Sequence, residues 1–320
     1  MNLARALLVL GRGSNLPSIW SNCLCGWLIG IGYAGLDTVV DWTMLFCLCI
    51  GATAIYLGGM YLNDACDVAF DRNFRKERPI PSGAISESSV WKIGIGLLAA
   101  GVGLLSLQGG VTALLSLALF NCVLVYNFLH KKIKWSPVLI AICRFLLILV
   151  GASFAYVTTN PEDSFFAHQN SGLATWTALV LGSYIVGLSW LAKVESEPGV
   201  VRYWPCLLLF LPMLLAFLVN PGGADRKDAL YVSAILGLWI IRCMRYTFWG
   251  EKRDIGKTVG GLLAGISLVD LLAVPLVTTE LAAIFLGCFL LSLLAQPLWA
   301  DLLVLKKAYH NILGKPLELQ

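Results

Sequence analysis

The residues best suited to chemistry form an acidic segment that follows the second long apolar stretch of the chain. Asn63, Asp67 and Asp71 recur every four residues, and Asp64 lies next to the first of them. If this segment is helical, the side chains at i, i+4 and i+8 spread over about 80° of the helix surface, with Asp64 close to Asp71. Stacked carboxylates repel one another unless a cation lies between them. The spacing therefore predicts a divalent-metal site.

Basic residues follow the acidic ones within a few positions. They are Arg72, Arg75, Lys76 and Arg78. Oxygen ligands at this density suit Mg²⁺, which takes one or two protein carboxylates and completes its shell with water and phosphate oxygens. Arg and Lys supply the complementary charge on the other sides of a phosphate. The segment favours Mg²⁺ with a phosphate or diphosphate ligand. The alternative is a solvated helix end whose acids and bases only pair with one another.

The elements that must position this segment are membrane helices. The chain has 320 residues, 58% of them apolar and only 13% charged, with a mean hydropathy of +0.79, whereas a soluble domain carries roughly 25% charge. About 20 apolar residues cross a bilayer as a helix. The sequence predicts nine or ten such helices, near 16–36, 42–62, 91–107, 111–129, 137–157, 173–192, 204–219, 229–249, 258–278 and 280–300. We predict one all-α polytopic membrane domain over 1–300 and a short cytoplasmic tail over 301–320.

The basic residues are distributed asymmetrically between the loops. Twenty of the 23 Lys and Arg residues fall in alternate segments, beginning with the N-terminus. Because Lys and Arg are retained on the cytoplasmic side of a membrane, the N-terminus and the acidic segment are predicted to face the cytoplasm. We expect the lipid bilayer of a bacterial inner membrane or an organelle as the setting, and no nucleic-acid partner.

Two motifs follow one another in the acidic segment, Asn63-x-x-x-Asp67-x-x-x-Asp71 and Arg78-Pro79-x-x-Ser82-Gly83. Together they resemble the first signature of the UbiA family of intramembrane prenyltransferases. Two further features are similarly placed in that family, the run from Arg12 to Pro17 before the first span and Tyr126 before a basic loop. The likeness in span order covers most of the chain.

The resemblance implies an architecture and a reaction. Members form a bundle of nine helices around a large central cavity with a lipid-facing opening. A Mg²⁺-bound prenyl diphosphate ionises there, and the allylic carbocation alkylates an aromatic, quinone-like or other lipophilic acceptor. Metals and basic side chains stabilise the charge that builds on the diphosphate, and an apolar cavity excludes the water that would quench the cation.

The resemblance also implies roles for individual residues. The implied Mg²⁺ ligands are Asn63, Asp67 and Asp71, with Asp64 as a further candidate. The implied substrate-binding residues are Arg78, Tyr126 and Lys131. Lys131 lies one place after the position where the family often has a lysine, which His130 occupies here.

The second signature of the family, after the sixth helix, departs from its usual aspartate pattern. The chain has Glu195 and Glu197 there, and residues two apart point about 200° around a helix, so they cannot share one face. Glu195 is predicted to hold a second Mg²⁺ through one carboxylate, with Lys193 replacing part of the missing cationic charge in catalysis. The alternative is an ordinary polar loop.

Three of the polar residues inside predicted spans need an explanation, since a charge costs roughly 2.5–3.5 kcal/mol at the helix centre. Arg144 is predicted to project into the cavity as a catalytic residue that clamps the diphosphate or pairs with the acidic segment, and snorkelling to the headgroups is the alternative. Asp270 is assigned to a structural ion pair or to catalysis. Asn22 is predicted to face the cavity and bind substrate, or to form an interhelical hydrogen bond.

Two functions therefore remain open from the sequence. The first is a Mg²⁺-dependent prenyltransferase with a prenyl diphosphate donor and a lipophilic acceptor. The second is a binding or transport protein of the same family that holds an isoprenoid or another lipid without transferring it. The altered second signature is the feature that separates them.

Overall fold

The computed structural model describes residues 3–32, 40–160, 163–196, 203–219, 224–249, 253–274 and 278–313. Within these ranges the regular structure is entirely helical, with short 3-10 helices at Gly13–Asn15 and Phe165–Ala167. The α-helices are α1 (Leu3–Gly11), α2 (Leu16–Ile31), α3 (Trp42–Cys66), α4 (Val68–Phe74), α5 (Glu87–Ser106), α6 (Gly110–Leu129), α7 (Ser136–Thr159), α8 (Gln169–Ser196), α9 (Trp204–Val219), α10 (Ala224–Phe248), α11 (Ile255–Ala273) and α12 (Thr279–Leu313).

Each of the ten predicted apolar stretches overlaps one of these helices, and parts of two stretches, 33–36 and 275–277, lie outside the described residues. Eight helices are long and apolar enough to cross a bilayer, namely α3, α5, α6, α7, α8, α10, α11 and α12. The other two stretches form α2 and α9, which have 16 residues each. The prediction of an all-α polytopic bundle is confirmed. Helix α12 continues to Leu313 and so extends into the segment predicted as a tail.

Small residues allow the central helices to approach closely. A Cβ atom at Gly26 of α2 would lie 2.6 Å from the carbonyl oxygen of Ile148 on α7, and one at Gly30 would collide with the carbonyl of Ala152. Membrane helices use such small residues at their interfaces because the backbones must come into contact. Helices α3 and α5 make a similar approach, at Gly58 against Gly94. These contacts set the spacing of the helices that surround the site.

A sharp turn joins α1 to α2. Arg12 adopts a left-handed backbone conformation with φ of 42° and ψ of 50°, which for a residue other than glycine stores roughly 1–3 kcal/mol of strain. Pro17 then lies in the first turn of α2, where its fixed φ favours helix initiation. Helix α1 buries Ala6 and Leu10 in a small core with the end of α3. The turn therefore holds Arg12 close to the acidic segment.

The acidic segment is almost the continuous helix predicted from its spacing. Helix α3 ends at Cys66 and α4 begins at Val68, with Asp67 between them in a helical conformation. The Asp67 amide donates to the carbonyl of Asn63 at 3.0 Å, and the Asp71 amide donates to the carbonyl of Asp67 at 2.9 Å. The four-residue spacing is thus preserved across the break. A turn after α4 brings Arg78 back toward the acids, and Ser86 caps the start of α5.

Candidate active site

Arg78 connects two of the acidic residues. Its Nη1 atom donates to Asp64 Oδ1 at 3.1 Å and to Asp71 Oδ2 at 3.0 Å. Both carboxylates are buried, with 6% of Asp64 and 2% of Asp71 exposed, whereas 22% of the Arg78 side chain remains accessible. Arg78, the first residue of the second motif, therefore contacts the acidic residues of the first motif.

Arg12 supplies a second guanidinium to the acidic segment, from the turn before α2. Its Nη2 atom donates to Asn63 Oδ1 at 3.2 Å and to Asp64 Oδ1 at 3.1 Å. The Asn63 amide in turn donates to Asn127 Oδ1 at 3.2 Å, and Asn127 donates to the carbonyl of Gly59 at 3.1 Å. Asn63 is consequently oriented by helices α3 and α6 together with the turn before α2.

Lys131 pairs with the third acid. Its Nζ atom lies 2.6 Å from Asp67 Oδ1, and His130 Nε2 lies 3.6 Å from the same oxygen. Lys131 also lies over the ring of Phe70, 4.7 Å from its centroid. Lys131 thus reaches the acidic segment although it lies one position after the place where the family often has a lysine. The imidazole of His130 stacks on the ring of Tyr126, with 5.1 Å between ring centroids.

The acids are therefore not a bare stack of repelling charges. Asp64, Asp67 and Asp71 each have a basic partner, so pairing of acids with bases, left open by the sequence, does occur. The pairing differs from a solvated helix end because the carboxylates are largely buried. Burial raises the pKa of the Asp71 carboxyl above its ordinary value, against the attraction of Arg78.

The donor set fits a magnesium ion that shares its shell with a substrate. Asp71 Oδ1 is buried and has no hydrogen-bond partner among the described residues. The described part of the chain contains no group of three or more His, Cys, Asp or Glu side chains arranged to hold one metal. Mg²⁺ needs only one or two protein carboxylates when phosphate oxygens and water complete its octahedron. Asp71 suits that role best, because its Oδ1 atom has no partner in the described part of the chain although Oδ2 accepts from Arg78. Asp67 is the next candidate, since it pairs with the partly exposed Lys131, whereas Asp64 Oδ1 accepts from two arginines.

A cavity of about 290 Å³ adjoins this cluster. Its polar lining comes mainly from Arg12, Asn15, Tyr56, Tyr126, Asn127, Arg144 and Ser189. Its apolar lining includes Ile19, Ile55, Leu119, Val123, Ile140, Leu147, Leu188 and Leu263. Arg12 and Asn127 belong both to the cavity wall and to the hydrogen bonds around Asn63. None of the acidic residues lines the cavity itself, but the cavity and the acidic cluster adjoin through these two shared residues.

Arg144 lies in the cavity wall, as predicted, but the structure pairs it with groups other than the acidic segment. Its Nη1 atom donates to the Ser18 carbonyl at 3.1 Å and to Asn22 Oδ1 at 2.5 Å, and its Nη2 atom donates to Ser18 Oγ at 2.9 Å. Asn22 Nδ2 donates to the two carboxylate oxygens of Asp270 at 2.9 and 2.8 Å. Ser21 Oγ also donates to Asp270.

This network places two of the intramembrane residues behind the wall of the cavity. Asn22 is fully buried and links α2 to α7 and α11, which is the interhelical role that the sequence left as an alternative to substrate binding. Asp270 is 1% exposed and belongs to the structural arrangement with Arg144. Arg144 does not snorkel, because 9% of it is exposed and its guanidinium bonds within the bundle.

The second signature is only partly described by the structure. Helix α8 continues through this segment to Ser196 rather than ending in a loop before it. Ser189 lies in the cavity wall, and Lys193 lies one helical turn further on with a half-buried side chain. The side chain of Glu195 and all of Glu197 lie outside the described residues. A second metal at Glu195 and a catalytic role of Lys193 remain predictions.

Sequence reasoning assigned no site role to Tyr56 or Asn127. Tyr56 lines the cavity, and its hydroxyl donates to the Arg12 carbonyl at 3.1 Å. Asn127 is 4% exposed and bridges Asn63 to α3. A polar amide inside an apolar span is a signal for an interhelical contact, and Asn127 directly follows Tyr126. Its partner could not be read from that signal.

Comparison with known proteins identifies the family. Residues 23–259 match the model of the UbiA prenyltransferase family. Because this range covers more than half of the chain, the protein belongs to the UbiA prenyltransferase family and is an integral membrane prenyltransferase.

Curated relatives extend over most of the chain. Digeranylgeranylglyceryl phosphate synthase of Methanopyrus kandleri is 29% identical over 274 residues, which cover 73% of this chain and 97% of the relative. The 4-hydroxybenzoate octaprenyltransferase of Pectobacterium carotovorum is 29% identical over 221 residues, which cover 68% of this chain and 61% of the relative.

Solved structures share the fold. A UbiA homologue from Aeropyrum pernix, in its apo form, superposes with a TM-score of 0.61 at 14% identity, covering 84% of this chain and 96% of that one. A structure described as digeranylgeranylglyceryl phosphate synthase in membranes superposes with a TM-score of 0.57 at 17% identity, covering 90% and 99%. At these identities the likeness concerns the architecture.

Proposed function

We propose that this prenyltransferase uses Mg²⁺ and a prenyl diphosphate donor, and that it transfers the prenyl group to a lipophilic acceptor held in the cavity. The observation that carries the proposal is that the acidic cluster adjoins the apolar cavity through Arg12 and Asn127. A prenyl diphosphate has the same two parts, a polyanionic head and an apolar tail. The acidic cluster with its basic residues suits the polyanionic head, and the adjoining apolar cavity suits the tail that is joined to it.

The basic residues of the cluster are suited to hold the diphosphate. Arg78 uses Nη1 for Asp64 and Asp71, and its side chain is partly accessible. Lys131 is 45% exposed while it pairs with Asp67. Both can donate further hydrogen bonds to phosphate oxygens, and such charge-assisted bonds become stronger as the leaving group gains charge. Asp67 and Asp71 would hold Mg²⁺, which supplies further charge stabilisation to the departing diphosphate when it is bound.

The cavity wall is suited to the prenyl chain and the acceptor. Nine of the residues that line it are isoleucine, leucine or valine, and they come from α2, α3, α6, α7, α8 and α11. This apolar surface keeps water away from an allylic carbocation, so the acceptor rather than water receives the prenyl group. The membrane setting agrees with a donor tail and an acceptor that are both dissolved in lipid.

The direct test is prenyl transfer by the full chain in detergent or nanodiscs. Labelled prenyl diphosphates of several lengths are incubated with Mg²⁺ and with aromatic, quinone-like and glyceryl lipid acceptors. We expect diphosphate release and a labelled lipophilic product, both lost when EDTA removes the metal and restored by added Mg²⁺. Absence of release with every donor and acceptor class would contradict the proposal.

We also propose that the acidic cluster faces the cytoplasm, because the basic residues concentrate on that side of the predicted spans. A single cysteine or tag at 130–136 should be accessible only from the cytoplasm, and one in the segment 158–172 only from the other side. Labelling of both from the same side would contradict the topology.

A further inference from the structure

Two cysteine side chains contact each other across the hairpin of α6 and α7. The Cys143 thiol on α7 donates to the Cys122 sulfur on α6, with 3.4 Å between the two Sγ atoms, and the Cys122 thiol donates to the carbonyl of Leu139 at 3.6 Å. Both cysteines are free. A disulfide joins two sulfur atoms about 2.0 Å apart, so a short approach converts this contact into a covalent bond.

The thiol pair is accessible from the cavity. Cys143 belongs to the cavity wall together with Ile140 and Arg144 of the same helix, and Cys122 is half-buried behind it. The reaction of a thiol requires that the second reactant can reach the sulfur atom. A molecule that occupies the cavity therefore comes into contact with one member of the pair.

The pair lies inside the membrane-spanning part of both helices. Cys122 is seven residues before Leu129, the last residue of α6, and Cys143 is seven residues after Ser136, the first residue of α7. Seven residues correspond to roughly 10 Å along a helix axis. Glutathione and thioredoxin keep thiols reduced in the cytosol, but both are polar and water-soluble. The depth of the pair and the apolar cavity wall favour a lipid-soluble redox partner instead.

The chemistry of the pair defines that partner. When a dithiol becomes a disulfide, two S–H bonds break, one S–S bond forms, and two electrons and two protons must pass to an acceptor. A quinone accepts two electrons and two protons and becomes a hydroquinone, so the reaction balances without a further reactant. A quinone ring is also planar and lipid-soluble, and it suits an apolar pocket that carries a few polar groups.

A bond between these cysteines would close a ring around the turn that joins α6 to α7. The ring spans residues 122–143 and contains Tyr126 and Asn127 of the cavity wall. It also contains Lys131, which pairs with Asp67 at 2.6 Å. A cross-link reduces the freedom of the chain that it encloses. The oxidation state of the pair is thereby connected to the acidic cluster.

We propose that Cys122 and Cys143 are a redox-active dithiol that a lipid-soluble quinone in the cavity oxidises to a disulfide, and that the disulfide restrains the turn carrying Lys131. The proposal goes beyond prenyl transfer, because it assigns a second chemistry to the same cavity. In the reduced form Lys131 is free to exchange Asp67 for a phosphate, and in the oxidised form this exchange is restricted. Only that last link rests on the proposed function.

The test measures the dithiol directly and needs no prenyl transfer. The reduced full chain in nanodiscs is mixed, without oxygen, with decylubiquinone, whose ring carbons are all substituted so that a thiol cannot add to them. We expect about one equivalent of hydroquinone per chain, as a two-electron couple requires. After alkylation of the remaining thiols, mass spectrometry should find a peptide pair linked through Cys122 and Cys143, which dithiothreitol separates. Amide hydrogen exchange at 130–135 should slow by about threefold or more, because the cross-link limits local opening.

Variants and a second thiol pair provide the controls. Cys122→Ser and Cys143→Ser should each abolish hydroquinone formation and the change in hydrogen exchange. Cys47→Ser should react as wild type does, because Cys47 is a half-buried thiol on α3. Cys23 of α2 and Cys49 of α3 also interact through their thiols. Neither is among the described residues that line the cavity, so this second pair should remain reduced.

The wild-type measurements decide the proposal even if a variant fails to fold. Absence of hydroquinone and of the linked peptides overturns it, and so does equal linkage of Cys23 to Cys49, which would show that contact alone decides. A disulfide that leaves exchange at 130–135 unchanged overturns the restraint on the turn. Prenyl transfer in a chain whose dithiol is not oxidised supports the proposed function and contradicts this proposal. Dithiol oxidation in a chain without prenyl transfer does the reverse.

Discussion

The acidic cluster at the end of α3 and the Arg144 network inside the bundle both join carboxylates to arginine, but the number of partners differs. In the cluster, three carboxylates share Arg12, Arg78 and Lys131, and one oxygen of Asp71 has no hydrogen-bond partner among the described residues. In the network, Arg144 and Asp270 are joined through Asn22 alone, supported by two serines.

The two regions differ in whether a bound ligand can replace one of their ion pairs. Basic partners in the cluster remain partly accessible, so a metal and a diphosphate can replace one ion pair by another without leaving a buried charge alone. Arg144 lines the cavity, but Asn22 and Asp270 lie behind its wall, and a charge lost there leaves its partner buried and unpaired. The cluster is thus suited to binding and releasing ligands, and the network is suited to holding one side chain still.

The largest effect is expected from Asp270→Leu, which removes the buried carboxylate of the network. Arg144 and Asn22 then lose their anionic partner inside the membrane, and we expect a loss of about 3–5 kcal/mol of stability. Thermal unfolding in detergent measures it. The double variant Arg144→Leu/Asp270→Leu should be more stable than Asp270→Leu, because it leaves no unpaired buried charge. A double variant as unstable as the single one would show that the charges do not compensate each other.

The next largest effect is expected from Asp67→Asn and Asp71→Asn. Each should weaken Mg²⁺-dependent binding of prenyl diphosphate and slow diphosphate release by about a hundred- to a thousandfold, the equivalent of ~2.7–4 kcal/mol of transition-state stabilisation. Thermal stability should change far less than in Asp270→Leu, since the basic partners are shared. Affinity and rate that stay unchanged at saturating Mg²⁺ in both variants would refute the metal assignment.

A smaller effect is expected from Phe70→Leu. Lys131 lies over the Phe70 ring, and such a contact contributes roughly 0.5–1 kcal/mol at an exposed site. We expect the KM for the prenyl diphosphate to rise about two- to fivefold with little change in kcat. Phe74→Leu is the control, because the Phe74 ring packs against the Phe70 ring at a tilt, with 4.6 Å between centroids, while Lys131 lies over the ring of Phe70. Equal effects of the two variants would assign the loss to the contact between the two rings instead.

The smallest effect is expected from Glu87→Gln, which breaks an ion pair of the same chemical type outside the site. Arg72 and Glu87 are 3.0 Å apart, and their side chains are 60% and 39% exposed. Exposed pairs contribute about 0–1 kcal/mol, so stability and prenyl transfer should both remain close to wild type. A loss of transfer comparable with that of Asp71→Asn would show that charge near α4 matters in general, rather than the geometry of the cluster.

Several features followed from the sequence because their physical causes are local. A bilayer requires apolar helices of a certain length, so the ten apolar stretches predicted the bundle. The four-residue spacing of Asn63, Asp67 and Asp71 predicted a shared helix face, which depends only on helix periodicity. The motif beginning at Arg78 was correctly associated with the acids, because only a short turn separates them.

Only the tertiary structure decided which distant groups meet. Arg12 and Asp64 are 52 residues apart, and Asn22 lies 122 residues from Arg144 and 248 from Asp270. Periodicity orients a side chain on its own helix but says nothing of the neighbouring helix. That neighbour is set by backbone contacts such as Gly26 and Gly30 of α2 against α7. The assignment of Arg144 to the network, and away from the acidic cluster, follows from this packing.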